Sequence, residues 1–171
     1  MTLTISHKIP VEKPYYIVGF TDGEGSFNIS FRKRDDYLIG WKLSPVFNVS
    51  QKEKTIFTII KKHLKCGSIR FRNDNVYVYE VTNKKALIDI IIPFFLNIDF
   101  LSCKKNKDFS RFVKLIQLVY QGNNSKTYSD IQNVLNLSTE ISSLNSRKYK
   151  DEEILERAAL FYEKTKLKYM N

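Results

Sequence analysis

Cysteine and histidine are almost missing from this sequence, with 2 of each in 171 residues. Cys66 and Cys103 stand alone, and His7 and His63 have no partner at ligand spacing. The lack of any CxxC, HxxxH or Cys/His cluster argues against a zinc site, and isolated thiols suit a reducing compartment. Long apolar runs are missing too. The longest, residues 86–96, is broken by Asp89 and Pro93. A spanning helix needs roughly 20 apolar residues, so no membrane partner is expected. The opening MTLTISHKIPVEK has no apolar segment, so no secretory signal is read and an intracellular protein is expected.

Negative charge is scarce. There are 18 Asp+Glu against 28 Lys+Arg, a net charge of +10 and a pI near 9.5. With 43% hydrophobic and 13% aromatic residues the chain reads as a folded globule. A basic globule expects an anionic partner, nucleic acid first. The length fits a single domain over residues 1–171. Lys, Asn, Ile, Phe and Tyr are abundant and have AT-rich codons, which points to an AT-rich genome such as that of a chloroplast or mitochondrion.

Along the chain, Pro14 starts a short helix that Gly23 and Gly25 end. Phe27, Ile29 and Phe31 then alternate with Ser26, Asn28, Ser30, Arg32 and Arg34, the period of a half-buried strand. Residues 35–40 read as a loop. A second alternating strand, 41–50, contains Pro45, which suits an edge or a bulge. An amphipathic helix over 52–65 ends at Cys66-Gly67, and a second hairpin turns at Asn73-Asp74-Asn75. Asn83 is placed to cap a helix through Leu96 that Pro93 bends or shortens. Further helices are expected over about 104–121, 128–144 and 151–168, with a break at Gly122-Asn123-Asn124-Ser125. The order α-β-β-α-β-β-α, followed by a helical C-terminal region, makes the class α+β.

Helices on one face of such a sheet leave the other for water or a ligand. That face carries Asn28, Ser30, Arg32 and Arg34, then Lys42, Ser44, Asn48 and Ser50, then Ser68, Arg70 and Arg72. No acid falls on it in these three strands. Arg, Asn and Ser are the side chains that read base edges from a β-ribbon in the major groove. The fourth strand is open in phase. Either Tyr77 and Tyr79 reach DNA, or they pack inward with Glu80 outside; Tyr77 is counted among the candidates.

The junction Asp22-Gly23-Glu24-Gly25-Ser26 fits neither an EF-hand loop nor a phosphate loop. A glycine helix stop explains the glycines but not the acids, which are unfavourable at a helix C-terminus. A bound cation such as Mg²⁺ would compensate them.

Tyr16-Ile17-Val18-Gly19-Phe20-Thr21-Asp22-Gly23-Glu24-Gly25-Ser26 resembles the motif of the LAGLIDADG homing endonucleases. Val18 stands where a small alanine is usual, and Glu24 where the last acid is more often Asp. The resemblance extends through both hairpins, Val49-Ser50-Gln51-Lys52, Ile92-Pro93-Phe94-Phe95, and Lys104-Lys105 ahead of Asp108-Phe109. It covers a core of about residues 14–120. The helical region of about 126–168 matches less distinctly.

The motif occurs once, which implies a homodimer paired through this helix, with Val18, Gly19 and Asp22 at the interface and a saddle-shaped sheet in each copy for DNA. It implies double-strand cleavage of a long pseudo-palindromic DNA site by an intron-encoded, Mg²⁺-dependent enzyme. Glu24 and the Gly23 carbonyl would hold the metal, Gln51 would orient water, and Lys104 would stabilise charge, with Lys105 as the alternative register. Asp22 reads as structural. The competing readings are a maturase that binds intron RNA and a DNA-binding regulator that does not cut.

Overall fold

The computed structural model describes residues 12–120, 127–141 and 148–170, with side chains to Lys164. The chain runs α1 (Lys13–Glu24), β1 (Gly25–Lys33), β2 (Trp41–Gln51), α2 (Thr55–Leu64), β3 (Ser68–Phe71) and β4 (Tyr77–Val81). Then follow α3 (Lys84–Ala86), a π-helical segment (Leu87–Ile91), α4 (Ile92–Leu96), α5 (Cys103–Tyr120), α6 (Tyr128–Glu140) and α7 (Asp151–Met170). This is the α+β order expected from the sequence.

The four strands form one antiparallel sheet in the order β1-β2-β4-β3. Phe27, Ile29 and Phe31 of β1, Phe47 and Val49 of β2, and Tyr79 and Val81 of β4 are buried on its helix-covered face. The Phe27 ring lies 5.1 Å from Phe112 and 5.3 Å from Phe109 of α5, and 5.9 Å from Phe95 of α4, so two helices meet at one strand residue. Burying each such ring is worth about 1.5–3 kcal/mol, which fixes the sheet's phase and leaves its opposite face open.

Pro45 is tolerated in a central strand because of where β4 joins. β2 pairs with β1 from Trp41 to Val49, but with β4 only from Phe47 to Gln51. The missing donor therefore costs no β2–β4 rung. Asn83 caps as expected, its Oδ1 accepting from the Ala86 N–H at 3.0 Å. The helix it starts is interrupted by the π-helical segment, where Ile92 N–H donates to Leu87 O, five residues back. The widened turn lets Pro93 start α4, where its lack of an N–H matters least. Lys65, with φ of 54°, closes α2 one residue before the expected Cys66-Gly67 stop. Leu144, the expected end of the helix after Tyr128, and the 122–125 break lie outside the described residues; α6 ends at Glu140.

The last helix closes on the first hairpin. Trp41 Nε1 donates to the Ile154 carbonyl at 3.0 Å, and Arg157 Nε donates to Gly40 O at 2.9 Å. Arg157 also pairs with Asp35 and lies over the rings of Trp41 and Phe161. Gly40 has a φ of +68°, and the Arg157 and Phe161 side chains leave no room there for a Cβ. No helix of the described residues is long and apolar enough to cross a membrane.

Candidate functional site

The helix α1 runs into β1 without a loop. Gly23 lies inside its last turn rather than ending it, and Gly25 is the cap, extended at φ −78°. Glycine is needed at 25 for space, since a Cβ there would collide with the Thr21 side chain and carbonyl. Glu24, the last helical residue, is exposed at this tip.

Two long-range contacts build the site around Glu24. Asp22 accepts from the Ser102 backbone N–H at 2.9 Å and from its hydroxyl. Ser102 Oγ in turn accepts from Lys105 N–H at 3.1 Å, so Ser102 caps α5. That brings the Lys105 ammonium to donate to Gly25 O. Burial lowers the Lys105 pKa, against the attraction of Asp108, Asp22 and Glu24; neighbouring Lys104 lowers it further. Lys104, the lysine first expected here, is exposed; the half-buried alternative Lys105 is the one turned to the tip. The sequence does not show this, because one residue is about 100° of helix and both are lysines.

Gln51 ends β2 at the sheet end where β1 begins, since Gly25 pairs with Val49. Its Oε1 accepts from the Lys52 N–H at 2.8 Å. Among the described residues no three His, Cys, Asp or Glu side chains group to hold a metal. What one chain offers is the Glu24 carboxylate and the carbonyls of the last helical turn, of which Thr21 O already accepts from the Gly25 N–H. Such oxygen donors fit Mg²⁺, which keeps several waters and takes one or two carboxylates plus phosphates. They suit a shared site and not a closed one.

The open face is as polar as expected. Across β1 and β2, Ser26 faces Asn48, Ser30 faces Ser44 and Arg32 faces Lys42. Val46 and Val78 also have this parity but are buried. A groove of about 920 Å³ runs over Asn28, Ser30, Arg32, Lys42, Ser44 and Asn48. Ser68 and Arg70 extend the face onto β3.

Tyr77 is not on it. Tyr77 pairs with Gln51 and Phe71 on the helix-covered side, with its ring 4.6 Å from Phe71, and Tyr79 is fully buried beside it. Glu80 takes the open side, between Asn48 and Ser68, and reaches Arg70 at 3.5 Å. The signal for this phase was Glu80 itself, the only charge in Tyr77–Val81. Arg34 and Arg72 lie just beyond the strands, and each holds an aspartate two residues on. Arg34 keeps the Asp36 carboxyl below its usual range, and Arg72 does the same for Asp74.

The outer face of α1 also differs from expectation. Val18 is only 4% exposed and packs in the chain's own core, and Asp22 is bound to Ser102. Gly19 and Gly23 are exposed, with nothing within 4 Å of a Cβ at either. Tyr15 and Tyr16 flank them, 61% and 46% exposed. These four form the outer, exposed face of α1.

Residues 17–116 match the family model described as LAGLIDADG endonuclease. The chain is 28% identical over 80 residues to homing endonuclease I-ApeII of Aeropyrum pernix, covering 46% of this chain and 48% of that protein. It is 27% identical over 135 residues to DNA endonuclease I-CeuI of Chlamydomonas moewusii, covering 75% and 60%. The chain thus spans about half to three-fifths of these relatives. Among solved structures, the archaeal intron-encoded homing endonuclease I-Vdi141I complexed with DNA superposes with a TM-score of 0.75 at 30% identity, covering 87% of this chain and 96% of that one. I-SmaMI bound to cleaved DNA gives 0.69 at 26%, covering 86% and 47%.

Proposed function

The chain belongs to the LAGLIDADG endonuclease family, and from that premise we propose that it is a homodimeric, Mg²⁺-dependent homing endonuclease that cuts both strands of a long pseudo-palindromic DNA site. The carrying observation is the exposed Glu24 beside the half-buried Lys105 at one end of an acid-poor, groove-bearing sheet face. Gly19 and Gly23 let two α1 helices approach closely, which would set two copies of Glu24 side by side at a two-fold axis.

In this reading Glu24 and the Gly23 carbonyl hold the metal. Bound Mg²⁺ supplies a more acidic water and neutralises charge on the leaving oxygen. Lys105 keeps a fixed positive charge next to Glu24, oriented by Gly25 O and by the Ser102 cap. Gln51, at the same sheet end, orients water. Asn28, Ser30, Ser44, Asn48 and Arg70 read base edges, while Arg32 and Lys42 hold phosphates. Relatives named as intron-encoded favour an intron origin, in an organelle with an AT-rich genome.

The test is cleavage and binding selection from a randomised duplex library, in Mg²⁺ and in Ca²⁺. Cuts at one near-palindrome in Mg²⁺, with Glu24→Gln binding that site but not cutting it, are expected. Binding without cutting by the wild type would overturn the nuclease reading, and intron RNA would be the next ligand. Equal loss of binding in Glu24→Gln would instead make Glu24 a shaper of the helix tip.

A further inference from the structure

Both hairpins carry the same three-residue device. After β1 the chain reads Arg34-Asp35-Asp36, and after β3 Arg72-Asn73-Asp74. In each, the aspartate at the third position accepts from Nε and Nη2 of the arginine. The Arg34 contacts are both 2.7 Å. Arg72 Nε donates at 3.1 Å and its Nη2 pairs with the other carboxylate oxygen. A guanidinium has five N–H groups in a rigid fork. The carboxylate takes the side-on pair and leaves Nη1 and one Nη2–H free. Those two point away from it in the same plane, as a fork that can span O6 and N7 of guanine.

Both arginines keep the open-face parity. Arg34 N–H donates to Gly40 O and Arg72 N–H to Val76 O, so the hairpin ladders, and their alternation, continue through them. Acids on a DNA-facing surface repel phosphate, so aspartates here are unfavourable unless each serves a cation. Other arginines of the face are held differently. Arg70 meets Glu80 through one nitrogen at 3.5 Å, and Arg32 makes no ion pair among the described residues.

We propose that Arg34 and Arg72 each read a guanine, and that Asp36 and Asp74 are positioning residues that fix the two forks for it; this rests on the DNA-cleaving reading above. The two sites lie at opposite ends of the sheet. Arg34 sits beside Trp41, while the Arg72 hairpin sits beside Tyr77, which pairs with Gln51. At about 3.3 Å per residue the length of β2 separates them by about 33 Å along the strands. That is about one duplex turn, so the two guanines lie about ten base pairs apart.

The experiment is binding selection by the full chain on a randomised duplex library in Ca²⁺, with Asp36→Ala, Asp74→Ala and the matching Asp→Glu variants alongside thermal melts. Asp36→Ala should flatten the guanine preference at the outer position by about tenfold, and Asp74→Ala at the inner one. Other positions, the salt slope and Tm should hold, and Asp→Glu should restore part of the preference. A selected site with no guanine at either position overturns the inference alone. So does an affinity loss spread evenly over all positions with a lowered Tm, which would make the aspartates turn stabilisers. Enrichment of no duplex by the wild type overturns the DNA reading itself, and this inference with it.

Discussion

At the scale of single residues, the candidate chemistry turns on which lysine faces Glu24. Lys105 donates to Gly25 O and is half-buried, while Lys104 is exposed. Lys105→Met should therefore slow single-turnover cleavage by about 10²–10³-fold with site binding kept, and Lys104→Met should change little; the reverse order would return the role to Lys104. The sign of the pH dependence follows from burial. The Lys105 pKa is lowered, so its ammonium is lost at a lower pH than that of a free lysine. The alkaline fall in rate should begin below the ordinary lysine range, and Lys105→Arg should move it up. Glu24 and Gly25 were legible because their neighbours in sequence are their neighbours in space. Lys105 was not, because its place depends on Asp22 capturing Ser102 from 80 residues away.

At the scale of elements, strands were easier to read than the phase of the shortest of them. Nine residues of β1 alternate with one reading, whereas the five of β4 offered two, and Tyr77 fell on the wrong one. The π-helical segment before Pro93 has no local signature, because the sequence shows the proline but not the turn that accommodates it. On α1 the glycine spacing was legible, but the side of the helix on which Val18 falls was not, since an apolar residue serves a core and an interface equally well. The outer face of α1 makes its own prediction. A Cβ at Gly19 or Gly23 meets nothing within the chain, and alanine favours a helix over glycine by about 1 kcal/mol. Gly19→Leu and Gly23→Ala should leave the monomer's melting temperature unchanged or higher. Both should shift sedimentation from dimer to monomer and lower cleavage. A variant that stays dimeric and active would move the pairing surface elsewhere.

At the scale of the whole molecule, one apolar core joins Ile17 of the first helix to Ala158 of the last. The C-terminal helices matched the resemblance least, yet α7 secures the turn of the first hairpin. Arg157 donates to Gly40 O, pairs with Asp35 and covers Trp41. Arg157→Ala should cost about 2–3 kcal/mol in urea unfolding, from a lost part-buried hydrogen bond and lost ring contacts. It should also raise amide exchange in residues 34–40 more than at the Glu24 end; unchanged exchange in 34–40 would show that the turn stands without α7. That wiring has a consequence for the order in which a ribosome makes the parts. Trp41 and the Ile154 carbonyl that it binds are 113 residues apart. At about 5–20 residues per second, the hairpin waits many seconds for its clamp. A nascent chain thus has the Glu24 tip and the first helix long before the far turn, with Arg34, is held. If Arg34 reads a guanine as proposed, that contact is among the last to be set.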